Sequence, residues 1–233
     1  MSTPSTSTAT GNTCWSCQAA TSGEHFCPAC GKIQPLSRGT DYFAFFGLPK
    51  KLQLDAAELE KRFHQLSWKL HPDNFVRASE SERDLSLERS SQLNDAYRTL
   101  REPISRVEYL LAREGVRKEG QTKQQAPPEL LEEVFELNEW LDELRSSREA
   151  GADGTELAAL RGKLGDAEKH FQGLLAEVDA ELDGLFGEWD AAFDRGADDA
   201  AHKHLMARMN EALNRRSYIR NLVKNVAEEL SQA

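Results

Sequence analysis

The sequence predicts an all-α protein, in which a helical hairpin with flanking helices and a C-terminal three-helix bundle follow a small four-cysteine module. Three observations predict this class. Apolar residues recur at spacings of three and four from about residue 41 to the end, which is the period of an amphipathic helix. The alternation of apolar and polar residues that marks strands is absent. Hydrophobic residues make up 39% of the chain and charged residues 29%, a balance typical of folded proteins.

The N-terminal tail, residues 1–13, is rich in serine and threonine and is predicted to be disordered. It has neither an apolar signal core nor the arginines of a mitochondrial transit sequence, so we expect a cytoplasmic protein. No stretch approaches the roughly 20 apolar residues that cross a bilayer. The net charge of −10 disfavours nucleic acid, because such binding neutralises phosphates. Partners are therefore expected among proteins, with neither nucleic acid nor membrane.

All four cysteines lie in residues 14–40, which we predict to be a zinc knuckle and its connector. They form two Cys-x-x-Cys pairs separated by nine residues, namely Cys14, Cys17, Cys27 and Cys30. Two such pairs aim four thiolates at one ion, the donor set that structural zinc prefers. Four thiolates leave no position open for water, so the zinc would be structural rather than catalytic. The alternatives are a redox dithiol, cysteines that bind no metal, an iron centre and a nucleic-acid-binding ribbon.

A helical hairpin is predicted between residues 41 and 115. Asp55 followed by Glu58 predicts a capping box that opens the first long helix. This helix carries a single apolar stripe, formed by Leu59, Phe63, Leu66 and Leu70. The next helix is expected to run from about residue 82 to 101, with a short helix after it.

A His-Pro-Asp tripeptide, His71, Pro72 and Asp73, ends the first long helix, because proline disfavours the α conformation of the residue before it. Since helices flank the tripeptide, its imidazole and carboxylate are expected to be held rigidly and presented outward. Basic side chains of the preceding helix lie away from the apolar stripe and near this loop; they are Lys61, Arg62 and Lys69. The alternative is a plain turn that binds nothing.

A polar linker is predicted at residues 116–128 and a three-helix bundle at 129–233. Three long amphipathic stretches with short connections favour an antiparallel bundle. They lie at about 129–149, 155–194 and 198–231.

The first bundle helix carries an apolar stripe and an acidic stripe on opposite sides. The stripe expected in the core consists of Leu130, Val134, Leu137, Leu141 and Leu144. The acidic stripe consists of Glu132, Glu136, Glu139 and Glu143. Like charges at these spacings cost about 0.2–0.5 kcal/mol per pair in an isolated helix. Leu131 and Phe135 lie between the stripes, and apolar residues rimmed by carboxylates suit a protein interface. An ordinary solvated face is the alternative.

Five segments in order and spacing carry a resemblance to a known family: DYFAFFGL at 41–48, RFHQL at 62–66, HPDNF at 71–75, LNDAYRTL at 93–100 and PISRVEYLL at 103–111. The chain resembles the HscB family of J-domain co-chaperones, some members of which carry an N-terminal pair of Cys-x-x-Cys motifs. The resemblance implies a J domain at 41–115 that docks on a DnaK/HscA-type heat-shock ATPase and stimulates its ATP hydrolysis. It assigns that contact to His71, Pro72, Asp73, Lys61, Arg62 and Lys69.

The resemblance also implies a second site, at which the bundle binds the iron–sulfur scaffold protein IscU. Carried over position by position, this site consists of Leu131, Phe135, Glu136, Glu139, Glu143 and Tyr218. One apolar position of the family falls on Glu132 here, which is a departure from the family pattern.

Three classes of function compete at this point. The first is a non-enzymatic co-chaperone for iron–sulfur cluster assembly, which acts by bringing a client and an ATPase together. The second is a zinc-ribbon adaptor whose helices only scaffold. The third class is an enzyme. The sequence does not support it, because it contains no Gly-rich phosphate loop, no nucleophile elbow and no metal site with an open position.

Overall fold

The computed structural model describes residues 12–36, 39–117 and 127–232. The α-helices of these residues are α1 (Tyr42–Phe45), α2 (Ala56–Leu70), α3 (Glu80–Arg101), α4 (Pro103–Arg113), α5 (Leu131–Glu149), α6 (Gly154–Asp194) and α7 (Asp199–Ser231). Two two-residue strands, β1 (Asn12–Thr13) and β2 (Ala20–Thr21), are added to a fold that is otherwise helical. The predicted all-α class is confirmed. Most of the predicted tail and linker, residues 1–11 and 118–126, lies outside the described residues.

The chain divides into two compact units. The first unit takes in the chain up to Lys50 together with Leu54–Arg106, and the second takes in Lys51–Gln53 and the chain from Val107 onward. The domain boundaries proposed from the sequence stay predictions. In the described part of the chain, no helix combines the length and the apolarity of a bilayer-spanning segment.

The cysteine module, residues 12–36, is built from two similar turns. β1 and β2 pair antiparallel around the first Cys-x-x-Cys, and a bridge between Phe26 and Ile33 flanks the second. In each turn the residue four places after the first cysteine has a positive φ: 62° at Gln18 and 71° at Gly31. Its N–H bonds back to the carbonyl of that cysteine, which closes the turn. Gly31 adopts this conformation without steric cost.

Helix α2 begins at the predicted N-cap, Asp55, but without the predicted capping box. The Asp55 carboxylate does accept from the N–H groups of Ala57 and Glu58, at 2.9 and 3.3 Å. The Glu58 carboxylate, however, bonds Arg62 at 2.8 Å, so the prediction of a capping box here was wrong. The box forms one helix later, between Ser79 and Glu82, and α3 accordingly begins at Glu80 rather than near residue 82.

The predicted stripe of α2 packs against α3. Leu59 and Leu70 are buried, whereas Phe63 and Leu66 are half-buried. Phe63 stacks on Tyr97 of α3, with ring centroids 4.1 Å apart.

In the second unit, helix α5 packs against α6, and α6 packs along α7. The five predicted core residues from Leu130 to Leu144 are all buried, the most exposed being Val134 at 8%. The far end of the bundle holds Glu229, which is 5% exposed and binds Arg145 and Arg148 at 3.0 and 2.6 Å. A carboxylate this deeply buried requires such charged partners.

Residues 51–53 attach to α6 through one buried carboxylate. Asp190, 9% exposed, accepts from the N–H groups of Leu52 and Gln53 at 2.6 and 2.9 Å. Lys51 pairs with Asp194 one turn further along α6, at 2.7 Å. These hydrogen bonds explain why this short segment belongs to the second unit.

Candidate metal centre and partner-binding surfaces

The four cysteine sulfurs converge on one point of the cysteine module. All four Sγ atoms lie within 4.8 Å of one another, and the Cys14–Cys30 and Cys17–Cys27 pairs are each separated by 3.7 Å. Four Zn–S bonds of about 2.3 Å in a tetrahedron place their sulfurs about 3.8 Å apart. A disulfide would instead require roughly 2.05 Å. The sulfur positions therefore fit a single tetrahedral ion, and these cysteines can hold a metal.

Nearby N–H groups favour the thiolate form of Cys14. The N–H groups of Ser16 and Cys17 approach its Sγ at 3.3 and 3.5 Å, and the Gln34 side-chain amide approaches it at 3.3 Å. Burial opposes ionisation, but the backbone donors Cys17 and Ser16 outweigh it and lower the pKa of Cys14 to about 6. Because the thiolate is the form that binds metals, these N–H groups favour metal binding at Cys14.

His25 lies in the same module and takes a structural role. Its Nε2 is 2.9 Å from the Phe45 carbonyl, and its ring meets the Phe45 ring edge-on at 4.5 Å. A carbonyl only accepts, so Nε2 carries the proton. Burial lowers the pKa of His25 and keeps the ring neutral. No motif or spacing in the sequence indicates this contact, which joins the module to α1.

The His-Pro-Asp loop, residues 71–79, presents its tripeptide outward. The side chains of His71 and Asp73 are 56% and 84% exposed. The Asp73 N–H approaches His71 Nδ1 at 3.3 Å, so in the neutral ring the proton is on Nε2. Pro72 opens a 3-10 turn that ends at the buried Phe75. The loop thus exposes an imidazole and a carboxylate from an anchored backbone.

The basic residues of α2 share one face. Lys61, Arg62 and Lys69 all line an open groove of about 770 Å³, whose other wall is formed by residues 22–25 of the cysteine module. Lys61 is 67% exposed. Arg62 differs, because its Nη1 donates to the carbonyls of Phe46 and Gly47 at 2.8 and 2.9 Å.

These two hydrogen bonds from Arg62 hold α2 against the end of α1, in addition to any contact that Arg62 makes with a partner. Trp68, also on α2, is 75% exposed. Its place outside the apolar stripe indicates an exposed side chain, but it is not among the site residues predicted from the sequence.

The exposed face of α5 combines apolar and acidic side chains. Leu131 and Phe135 are 55% and 65% exposed, and they continue at spacings of four into Glu139 and Glu143. Glu136 lies beside Phe135 and is exposed too. Tyr218 lies on another helix, α7, where it is half-buried, and burial raises its pKa.

Comparison with known proteins identifies the family. No family model matches the chain. A co-chaperone protein HscB homologue of Vibrio cholerae is 36% identical over 141 residues, which cover 59% of this chain and 81% of that relative. The chain belongs to the HscB co-chaperone family. Its four clustered cysteines fit the HscB variant that carries two Cys-x-x-Cys pairs ahead of the J domain.

Two further comparisons support the HscB assignment and set its extent. An HscB homologue of Vibrio parahaemolyticus is 42% identical over 104 residues, and the match spans 45% of this chain and 61% of the relative. The crystal structure of human co-chaperone protein HscB superposes with a TM-score of 0.62 at 26% identity, covering 95% of this chain and 100% of that one. The HscB fold is therefore matched over nearly the whole chain.

Proposed function

We propose that this HscB protein is a non-enzymatic co-chaperone that binds an IscU-type iron–sulfur scaffold and delivers it to a DnaK/HscA-type ATPase. It stimulates ATP hydrolysis by that partner and so assists cluster assembly and transfer. The observation that carries the proposal is the exposed His71–Asp73 pair on an anchored loop beside a basic helix face. In this assignment residues 41–115 form the J domain and residues 129–233 the scaffold-binding bundle. Stimulation of a purified DnaK/HscA-type ATPase by the purified chain tests it.

The ATPase contact would use the outward face of α2 and the His-Pro-Asp loop. Lys61 and Lys69 are exposed and can meet an acidic surface, although Lys61 also pairs with Glu58 at 3.8 Å. Charges of this kind mainly raise the rate of encounter. Arg62 contributes by holding α2 against α1. His71, Pro72 and Asp73 would form the contact that triggers hydrolysis.

The scaffold contact would use the exposed face of α5. An apolar pair, Leu131 and Phe135, supplies area that is removed from water on binding, and the carboxylates around it select a basic partner. Once the scaffold and the ATPase are both bound to this chain, they meet within one complex. The effective concentration of the scaffold at the ATPase is therefore raised.

Replacing Phe135 with alanine is expected to weaken scaffold binding roughly tenfold or more, about 1.4 kcal/mol or above, because buried aromatic anchors carry much of an interface's energy. Titration calorimetry with a purified IscU-type scaffold measures this change. Phe193→Ala is the matched control, because Phe193 is also a partly exposed phenylalanine, at 39%, but lies on α6. If the two variants bound the scaffold with equal affinity, Phe135 would not belong to the scaffold-binding site.

We further propose that the metal of the cysteine module is zinc, held by Cys14, Cys17, Cys27 and Cys30. The four-thiolate donor set and its spacing support zinc. The ion would cross-link the two turns of the module and supply folding free energy rather than catalysis.

A further inference from the structure

Helix α3 carries a buried polar strip along one face. Glu82, Ser86 and Arg89 lie one helical turn apart and are 5%, 0% and 0% exposed. Burying polar side chains is costly unless they find partners. The partners that these residues find come from two different parts of the first unit.

One set of partners is the end of α2, directly before the His-Pro-Asp loop. The hydroxyls of Ser86 and Ser90 both donate to the carbonyl of Leu70, at 2.7 and 3.0 Å. Leu70 is the last residue of α2 and precedes His71. These two hydrogen bonds fix the point from which the loop departs.

The other set of partners is the cysteine module. Lys32 Nζ donates to Glu82 Oε2 at 2.8 Å, and this hydrogen bond is the main cause that lowers the pKa of Glu82. Arg89 Nε donates to the carbonyl of Gln34 at 3.3 Å. The Gln34 side-chain amide in turn donates to Cys14 Sγ at 3.3 Å. A short chain of polar contacts thus joins a cysteine of the metal centre to α3.

The Glu82 contact also reaches the far end of the loop. Its carboxylate accepts from the N–H and the hydroxyl of Ser79, at 3.4 and 3.0 Å, in the capping box that begins α3. Lys32 therefore neutralises and orients the carboxylate that fixes where the loop ends. The loop is held at Leu70 on one side and at Ser79 on the other, by neighbouring residues of the same strip.

We propose that Lys32 is a positioning residue for the His-Pro-Asp loop, so that the folded cysteine module is part of the ATPase-activating apparatus. The inference rests on the proposed function, because it assigns the module a role in the same contact. Lys32 acts through Glu82 and Ser79. It does not have to touch the ATPase.

The test replaces Lys32 with methionine, which keeps most of the side chain's length but removes its ammonium group. Lys50→Met is the matched control, because Lys50 is equally exposed, 44% against 43%, and pairs with Asp41 instead of α3. Metal content and scaffold affinity are measured in both variants and are expected to match the unmodified protein. Lys32→Arg, which keeps a donor at the same place, is expected to restore the function.

The ATPase readout separates positioning from docking. For Lys32→Met we expect the maximal stimulation of a DnaK/HscA-type ATPase to fall about threefold or more, while the half-saturating concentration changes less than about twofold, because the α2 face that docks is unaltered. Stimulation by Lys32→Met equal to that by Lys50→Met would overturn the proposal.

A second readout needs no partner and therefore stands even if the chain stimulates no ATPase. Amide hydrogen exchange of residues 71–79 is expected to be about threefold to tenfold faster in Lys32→Met than in Lys50→Met, because the Glu82 carboxylate that anchors the Ser79 end of the loop loses its cationic partner. Unchanged exchange would overturn the proposal while leaving the proposed function standing. If exchange is faster in Lys32→Met but the unmodified chain stimulates no ATPase, Lys32 does position the loop and the co-chaperone role is refuted.

Discussion

Replacing His71 with glutamine is expected to reduce stimulation of a DnaK/HscA-type ATPase to the basal rate. The imidazole is more than half exposed, and its Nδ1 meets only groups of the neighbouring Asp73 in the described residues: the N–H at 3.3 Å and the carboxylate at 3.5 Å. The substitution therefore removes a group that faces the partner while leaving the core untouched. Surface changes of this kind alter the free energy of unfolding by about 0.5 kcal/mol or less. Steady-state ATP hydrolysis and denaturant unfolding measure the two effects.

The matched control for that variant is His64→Gln. His64 lies on α2 with 70% of its side chain exposed, and its contact with Glu60, at 3.8 Å, is an exposed pair of little energetic weight. The His64→Gln variant is expected to stimulate the ATPase as strongly as the unmodified chain. If the His71→Gln variant also stimulated the ATPase normally, the His-Pro-Asp tripeptide would have no part in the stimulation.

Replacing Cys27 with serine is expected to abolish metal binding and to unfold the cysteine module. Cys27 is buried, and its Sγ lies 3.7 Å from that of Cys17. Structural zinc supplies about 10–16 kcal/mol in zinc-finger peptides, far more than a module of this size gains from its small core. Metal analysis is expected to give one zinc per chain in the unmodified protein and none in the variant.

Ser16→Ala serves as the control for the cysteine variant. Ser16 lies between two ligands and is exposed, and its contact with Cys14 Sγ comes from the backbone N–H, which alanine keeps. It should bind the metal fully. Full metal content in Cys27→Ser, or iron in place of zinc in the unmodified protein, would contradict the assignment.

The elements that sequence predicted well are those whose signal is local. The core stripe of α5 follows from the helical period, and the four converging sulfurs follow from the Cys-x-x-Cys spacing. The capping box shows the limit of local patterns. Asp55–Glu58 and Ser79–Glu82 both satisfy the pattern, but Arg62 engages Glu58 and leaves only the second box intact.

The contacts that sequence could not predict join residues far apart in the chain. Lys32 meets Glu82 across 50 positions, and Gln34 meets Arg89 across 55. Asp190 binds the backbone of Leu52 across 138 positions. No periodicity or spacing encodes such pairs, since they depend on how the helices pack.

The most direct test of the co-chaperone assignment is ATP hydrolysis by a purified DnaK/HscA-type ATPase, titrated with the unmodified chain in the presence and absence of an IscU-type scaffold. We expect saturable stimulation by the chain alone and greater stimulation when the scaffold is added, because one molecule then holds both partners. A hydrolysis rate that stays at its basal value throughout both titrations would contradict the assignment.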